Sequence, residues 1–357
     1  MNRVQKRHKK YLLFGSSILV LSFVLMISVL IAVTIGSTPI SIGNVYKVII
    51  YELFHVEYYQ EYASGAIHDI VWLIRLPRVI LAIPVGMGLA VCGTVMQAII
   101  KNPIADPYIL GVSSGASLGA TLAILLGIGT VFGTRSVGIV AFLGAFLISL
   151  LVLVCANVGG RATSVKLLLV GMGISSISSA FSSFIVFISN NKEGIQSITY
   201  WLMGSLAGAK WDSNGFVLAV VLAGTFFFIT QFRILNLMLL GDQVAITLGT
   251  NLHAYRYLYL IVSSFMIGAI VYASGIIGFV GLTVPHMVRT MVGTSHKKVL
   301  PISGLIGAIF IIWSDVCCRS ILPNTELPIG ILTSMIGGPF FVYLCLRKPY
   351  KFGGNMT

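Results

Sequence analysis

Three residues within or beside apolar runs could carry chemistry: His286, Asp315 and Glu326. A lone histidine could bind haem iron or relay a proton, although in an apolar helix it is more often a packing residue. An acidic residue inside a membrane helix indicates function by default. Asp315, however, precedes Arg319 by four residues, so an i,i+4 ion pair is the simpler explanation. Glu326 falls at a helix start, where the N-terminal dipole stabilises a carboxylate.

Sequence motifs for catalysis or nucleotide binding are missing from the chain. It has no G-x-x-x-x-G-K-[ST] phosphate loop, no HExxH metal pair and no G-x-S-x-G elbow. The five cysteines lie in apolar runs without metal-ligand spacing, which favours a packing role. We therefore predict no catalytic residues, no metal site and no cofactor, and expect a protein that is not an enzyme.

Composition indicates what must surround these residues. Hydrophobic residues make up 57% of the 357, charged residues only 9%, and the mean hydropathy is +0.98. Such a chain cannot cover itself with a water-compatible surface, so lipid must be its main solvent. We predict an all-α polytopic membrane protein that forms a single transmembrane domain over residues 1–357. The net charge of +13 reflects basic residues at the ends of apolar runs and does not indicate nucleic-acid binding.

Apolar runs predict about ten membrane-spanning helices of about 20 residues each. Their approximate ranges are 11–36, 79–100, 108–128, 137–156, 165–188, 216–233, 255–274, 279–294, 301–320 and 328–346. The first run follows the basic segment 1–10 and is too long for a signal peptide, so we read it as a retained span. Of the 23 lysines and arginines, 16 fall on one side and 7 on the other, which predicts that both termini are cytoplasmic.

Two loops exceed the length of a turn. The outer segment 37–76 is polar and aromatic and could carry a short interfacial helix. The inner segment 234–254 contains Gly241-Asp242, which predicts a helix start with Asp242 as N-cap or in the first turn, and Gly249, which predicts its end. A short cytoplasmic helix of this kind is typical of a transporter that contacts a partner protein; a plain connector is the alternative. Residues 347–357 form a predicted cytoplasmic tail.

Six motifs occur in order along the chain and together resemble one known family. They are RLPR at 75–78, GTVMQAIIKNPIADPYILGVSSGA at 93–116, LLGDQVAITLG at 239–249, GIIGFVGLTVPHMVR at 275–289, LP at 300–301 and ELPIGILTSMIGGPFF at 326–341. Each motif alone is weak, but six in register are specific. The sequence from about Arg75 to Leu346 resembles the FecCD-type permease subunits of iron-siderophore, haem and cobalamin (BtuC-like) ABC importers.

The resemblance implies a type II ABC importer permease fold in a bacterial cell membrane. It also implies the partners: two cytoplasmic ABC ATPases, an extracytoplasmic binding protein, and a second permease subunit that is either a copy or a relative. Because this chain has no phosphate loop, ATP hydrolysis would belong to a separate subunit. The cargo would be a ferric siderophore, haem or cobalamin, with the ferric chelate favoured only as the commonest class.

The same resemblance suggests three functional sites. Binding-protein docking would use Arg75, Arg78 and Arg319, whose planar forks suit carboxylates; helix-end anchoring by snorkelling is the alternative. ATPase coupling would use Leu240, Gly241, Asp242, Ala245, Leu248 and Gly249. The apolar side of this helix, which includes Val244, would face either the ATPase or the membrane base. A cytoplasmic gate would involve Asn102, Ile104, Thr163 and Ser164, of which the last two could equally be a turn and helix cap.

Three other function classes are weighed against this one. An ion-coupled secondary transporter would need an unpaired acid near the membrane midplane, and spans two to seven offer none. An intramembrane enzyme lacks its motifs, and a receptor would give the LLGDQVAITLG helix no purpose. Co-purification of an ATPase would separate the first interpretation from all three.

Overall fold

The computed structural model describes residues 3–158, 160, 163–322 and 325–347. The predicted segments 1–2 and 348–357, together with Arg161, lie outside the described residues. The α-helices among the described residues are α1 (Arg3–Thr34), α2 (Ile42–Phe54), α3 (Ala66–His68), α4 (Leu76–Ile100), α5 (Val112–Leu126), α6 (Ser136–Asn157), α7 (Ser164–Ile188), α8 (Lys192–Leu202), α9 (Trp211–Thr230), α10 (Phe232–Leu240), α11 (Asp242–Thr247), α12 (Leu252–Ser274), α13 (Val280–Val292), α14 (His296–Ser320) and α15 (Ile329–Arg347).

The predicted all-α architecture is confirmed, and each of the ten predicted spans coincides with one of these helices. Seven helical stretches are long and apolar enough to cross a membrane, and Val112–Leu126 and Ile329–Tyr343 are shorter apolar helices. The tenth, α13, has 13 residues. At 1.5 Å per residue it extends about 20 Å, less than the ~30 Å hydrocarbon core.

Some helices were not predicted, or differ from the prediction at their ends. Helix α1 begins at Arg3 rather than at residue 11. The outer segment does carry a short helix, α2, whose Ser41 side chain accepts a hydrogen bond from the backbone N–H of Asn44. Helices α8 and α10 were missed, because each is too short to give an apolar run of spanning length.

Helix α4 is the centre of the bundle. Almost all of its residues from Pro77 to Ile100 are buried, against α14, α9, α13 and α12. This close packing depends on glycines, at which the backbones of two helices can approach each other without an intervening side chain. A Cβ atom on Gly86 would collide with the carbonyl group of Gly307 on α14, and one on Gly93 would collide with Gly281 on α13. Small residues at such crossings are what bring membrane helices together.

We expect the α4–α14 crossing to be intolerant of a single methyl group. Gly86→Ala should destabilise the protein by about 1–3 kcal/mol, since backbone rather than a flexible side chain blocks the new atom. Gly215→Ala on α9 is the matched control, because nothing lies within 4 Å of its Cβ position. Thermal unfolding of the detergent-purified variants measures the difference. Equal melting temperatures would contradict the close packing.

Candidate functional site

One end of the bundle holds a buried cluster of charges, which we call the outer cluster: Arg75, Arg78, Asp315, Arg319 and Glu326. Arg78 Nε lies 2.6 Å from Asp315 Oδ1, and Arg78 Nη1 lies 2.7 Å from Glu326 Oε2. Arg319 Nε lies 3.0 Å from Asp315 Oδ2, so the two arginines share one carboxylate. Asp315 is only 1% exposed, whereas Glu326 is 43% exposed.

Arg75, and the guanidinium donors of Arg319 that do not contact Asp315, donate hydrogen bonds to carbonyl oxygens at the end of α1 and just beyond it. Arg75 donates to the carbonyl oxygens of Val33, Thr34 and Thr38. Arg319 donates to those of Ile35 and Ala32, at 2.8 and 3.3 Å. The last carbonyl groups of a helix have no partner within it, and cations there also match the helix dipole. The two arginines therefore cap α1.

The structure brings the three predicted docking arginines together, but it shows them buried and hydrogen-bonded within the bundle. The i,i+4 pair of Asp315 and Arg319 is confirmed. The expectation that the arginines stand at the surface is wrong, because all three are buried. Glu326, expected to rest on a helix dipole, pairs with Arg78 instead. Neither partner could be found from sequence, since they lie 237 and 248 residues from Arg78.

At the opposite end of α4, the predicted cytoplasmic helix exists as α11. It begins at Asp242 and ends at Thr247, and Gly241 (φ 102°) and Gly249 (φ 75°) adopt positive φ on either side. Asp242 lies in the first turn, as expected. The two glycines supply a backbone conformation that other residues adopt only with strain, and so they set the limits of the helix.

The apolar residues around α11 face in two directions. Ala245 is fully buried against the bundle. Leu240 and Leu248 are more than half exposed, as is Ile246, which sequence reasoning missed; Val244 is exposed to a lesser degree. Ala245 thus faces the bundle, while Val244 and Ile246 on α11, with Leu240 and Leu248 on either side of it, leave an apolar surface exposed. On the predicted cytoplasmic side of the membrane, a surface of this kind indicates a protein partner.

Asp242 is paired with two cations. Its Oδ1 lies 3.1 Å from Lys101 Nζ and 2.9 Å from Arg256 Nη2, and Arg256 also contacts Oδ2 at 3.2 Å. Burial acts to raise the pKa of Asp242, but Arg256 and Lys101 outweigh it and hold that pKa below its usual value of 3.8. Because the folded-state pKa is depressed, these pairs stabilise the fold above the ordinary pKa and are lost only as pH falls below it. They are intact throughout the neutral range.

The predicted gate residues lie near the end of α4. The loop after α4 folds back on itself, with Asn102 Oδ1 accepting from the Ile104 backbone N–H at 3.0 Å, and Ile104 is exposed. Ser164 Oγ donates to the Ile99 carbonyl oxygen at 2.9 Å, which places the start of α7 beside this loop. Thr163 caps α7 by accepting from the Lys166 N–H at 3.2 Å.

A further polar group, Gln97 with Arg289, was missed by sequence reasoning. Arg289 of α13 donates to the Gln97 side chain and to the Thr94 carbonyl oxygen, and Gln97 Nε2 donates to the Leu282 carbonyl oxygen at 3.3 Å. Polar side chains inside apolar helices were the available signal. His286 is buried on the same helix. Within the ranges given above, no group of three or more His, Cys, Asp and Glu could hold a metal ion.

Nine of the ten predicted spans surround the buried α4, with the outer cluster at one end of α4 and α11 at the other, an arrangement typical of a polytopic membrane protein. Comparison with known proteins identifies the class as the permease subunit of an ABC transporter. The FecCD transport family model matches residues 24–347, and the chain belongs to that family.

Individual relatives agree with this assignment. The chain is 38% identical over 287 residues to the hemin transport system permease protein HmuU of Yersinia pestis, covering 80% of this chain and 85% of that protein. It is 41% identical over 275 residues to the cobalamin import system permease protein BtuC of Halobacterium salinarum, covering 77% and 73%. A solved structure described as an inward-facing conformation of a metal-chelate type ABC transporter superposes with a TM-score of 0.80 at 31% identity, covering 94% of this chain and 100% of that one.

We expect Asp315 to be the most sensitive member of the outer cluster. Asp315→Asn leaves Arg78 and Arg319 close together in a buried site without their shared carboxylate, and breaking a buried pair costs about 3–5 kcal/mol. Asp212→Asn is the matched control, because Asp212 pairs with Arg135 at 3.0 Å on the surface, where such pairs contribute under ~1 kcal/mol. Thermal unfolding measures both. Similar small losses would show that the cluster does not hold the fold.

Proposed function

We propose that this chain is the membrane-spanning subunit of an ATP-driven importer that moves a metal chelate from an extracytoplasmic binding protein into the cytoplasm. The observation that carries the proposal is the exposed apolar surface on α11, at the end of α4 opposite the outer cluster. An importer of this kind has a protein partner at each end of its pathway, and these two sites supply one candidate contact each. An ion-coupled secondary transporter would leave the α11 surface without a partner.

The proposed cargo is an iron chelate, either a ferric siderophore or haem, or else cobalamin. The named permeases at 38% and 41% identity support this class, as does the metal-chelate transporter whose fold the chain shares. The haem and cobalamin permeases have almost equal sequence identity to this chain, so sequence similarity alone does not choose between the two cargoes. The binding protein that delivers the chelate would make most of the selection.

The proposed cytoplasmic partners are two ABC ATPase subunits, one of which would seat on α11 of this chain. Leu240, Val244, Ile246 and Leu248 would enter a groove of the ATPase, while buried Ala245 and Asp242 keep the helix attached to the bundle. Both termini would lie on this side of the membrane, in agreement with the 16-to-7 distribution of basic residues. The membrane would be a bacterial cell membrane.

The binding protein would dock over the outer cluster. In this conformation Arg75, Arg78 and Arg319 are buried, and Glu326 is the more exposed carboxylate partner of Arg78. A carboxylate on the binding protein would therefore reach Arg78 by replacing Glu326. The docking charges would fix orientation more than they add affinity.

A second permease subunit, identical or related, would complete the pathway. Helix α7 supports this proposal, because Ser176, Ser179 and Ser183 are exposed on it beside large apolar residues such as Phe187. Hydroxyl groups at a helix surface in the membrane suit contact with another helix or with water better than contact with lipid. The proposed gate would then be Asn102, Ile104, Thr163 and Ser164 of one subunit facing the same region of its mate.

The function is tested by reconstituting the chain with its ATPase and binding protein in vesicles. We expect ATP-dependent uptake of one among labelled ferric siderophore, haem and cobalamin, and no uptake when ATP is replaced by a non-hydrolysable analogue. Uptake that needs no ATP but follows a proton or sodium gradient would contradict the proposal and support the secondary transporter.

The ATPase contact is tested at Leu248. We expect Leu248→Asp to weaken ATPase association at least tenfold, because a carboxylate in the apolar groove loses its hydration without a partner and costs about 1–3 kcal/mol or more. Thr294→Asp, at an exposed bend between α13 and α14, is the control. Co-purification and coupled ATP hydrolysis provide the readouts. The Ala245 position is unsuitable for this test, because a bulky charge there would dislodge α11 itself. Undiminished association of Leu248→Asp would place the contact elsewhere.

A further inference from the structure

Asp242 receives its two cations from different parts of the bundle. Arg256 lies in the first turns of α12, and Lys101 ends α4 and begins the loop that carries Asn102 and Ile104. The carboxylate thus joins three elements: α11, the next helix α12, and the loop proposed as the gate, which lies 141 residues earlier in the sequence.

The two ion pairs differ in strength. Arg256 is 6% exposed and contacts both oxygens of Asp242, whereas Lys101 is 31% exposed and contacts one. A buried guanidinium nitrogen that contacts both carboxylate oxygens is held in place, while a single contact from a more exposed lysine is weaker and more easily rearranged. The Arg256 pair therefore anchors α11 to the bundle, and the Lys101 pair is a separate connection that could break while α11 stays attached.

The backbone at Lys101 adds an independent observation. Lys101 has φ 58° and ψ 33°, the left-handed conformation that usually ends a helix with glycine or asparagine. A side chain with a Cβ atom is strained there, and such strain is found where the side chain itself has a task. The ion pair with Asp242 supplies that task, and the Lys101 ammonium also lies 4.0 Å from the position that a Cβ atom on Gly241 would occupy, at the start of α11.

Lys101 immediately precedes residues 102–105 in the chain, which we call the gate loop. Its neighbour Asn102 accepts from Ile104, and the Ala105 backbone N–H donates to the Asn102 carbonyl oxygen at 3.1 Å, so residues 101–105 form one compact turn. The turn meets α7 nearby, where Ser164 donates to Ile99. A displacement of Lys101 is therefore transmitted to Ile104 through a few bonds.

We propose that the Lys101–Asp242 ion pair couples movement of α11 to the gate loop at residues 102–105, while the Arg256–Asp242 pair keeps α11 on the bundle. Lys101 is in this sense a positioning residue, which acts through α11 and the gate loop. The inference rests on the proposed role of α11 as the ATPase contact.

The decisive variant is Lys101→Gln, which removes the connection to the loop and leaves the Arg256 anchor in place. The probe is a cysteine at Ile104, in a chain whose five native cysteines are replaced, within the assembled transporter in lipid nanodiscs. The measured quantity is the rate at which a polar maleimide labels this cysteine, compared between the nucleotide-free state and the ATP–vanadate state. Lys101→Arg keeps the charge and is the conservative control.

With Lys101 present, we expect the labelling rate to differ about fivefold or more between the two states, in the range of ordinary coupling between sites. Lys101→Gln should reduce the difference to under about twofold while the ATPase still co-purifies, and Lys101→Arg should restore most of it. Asp242→Asn already removes the Lys101 contact along with the Arg256 anchor, so adding Lys101→Gln to it should cause no further loss in this readout.

Three results would overturn the inference. Lys101→Gln could keep the full difference, Ile104 could label equally in both states with Lys101 present, or the two single changes could add independently. Loss of ATPase binding by the unaltered chain is a distinct result, because it refutes the proposed function first and this inference with it.

Discussion

The carboxylate of Asp315 is the interaction on which the outer half of this bundle depends. It lies in α14, is almost fully buried, and is shared by Arg78 of α4 and Arg319 of its own helix. An isolated charge at this depth would be prohibitively costly, so each member requires the others. Arg319, together with Arg75, then donates hydrogen bonds to the last carbonyl groups of α1. One charge cluster therefore fixes the relative positions of three helices that are otherwise joined by nondirectional apolar packing.

The cluster is needed because the bundle is surrounded by lipid rather than by water. In lipid, a helix end that is withdrawn from water must find partners for its free carbonyl groups within the protein. The arginines provide them for α1, and glycines such as Gly86 let α4 and α14 approach closely enough for the charges to meet. Apolar contact alone would not select this arrangement, because lipid tails satisfy an apolar side chain as well as another helix does.

Hydropathy was enough to predict the ten apolar helices, because the membrane imposes an apolar composition on them, although α5, α13 and α15 are shorter than the other seven. It could not predict α8 and α10, which are too short to give that pattern. The Asp315–Arg319 pair was predictable, since helical spacing alone brings these residues together. The partners of Arg78 and the Lys101 partner of Asp242 were not, because they lie far along the chain and only tertiary packing brings them close. For the same reason the burial of the predicted docking arginines could not be inferred from their positions at helix ends.

The two ends of α4 share an electrostatic design. At one end Arg78 has a buried partner, Asp315, and a half-exposed one, Glu326; at the other, Asp242 has a buried partner, Arg256, and a half-exposed one, Lys101. The Arg78–Asp315 pair is buried on both sides and costly to break; Asp242 is 46% exposed, but the buried Arg256 holds it more firmly than Lys101 does. Rearrangement at either end can therefore exchange one weak contact while the strong one preserves the fold. Because α4 is a continuous, almost fully buried helix between Arg78 and Lys101, about 35 Å long over that interval, neither end can shift along its axis without the other.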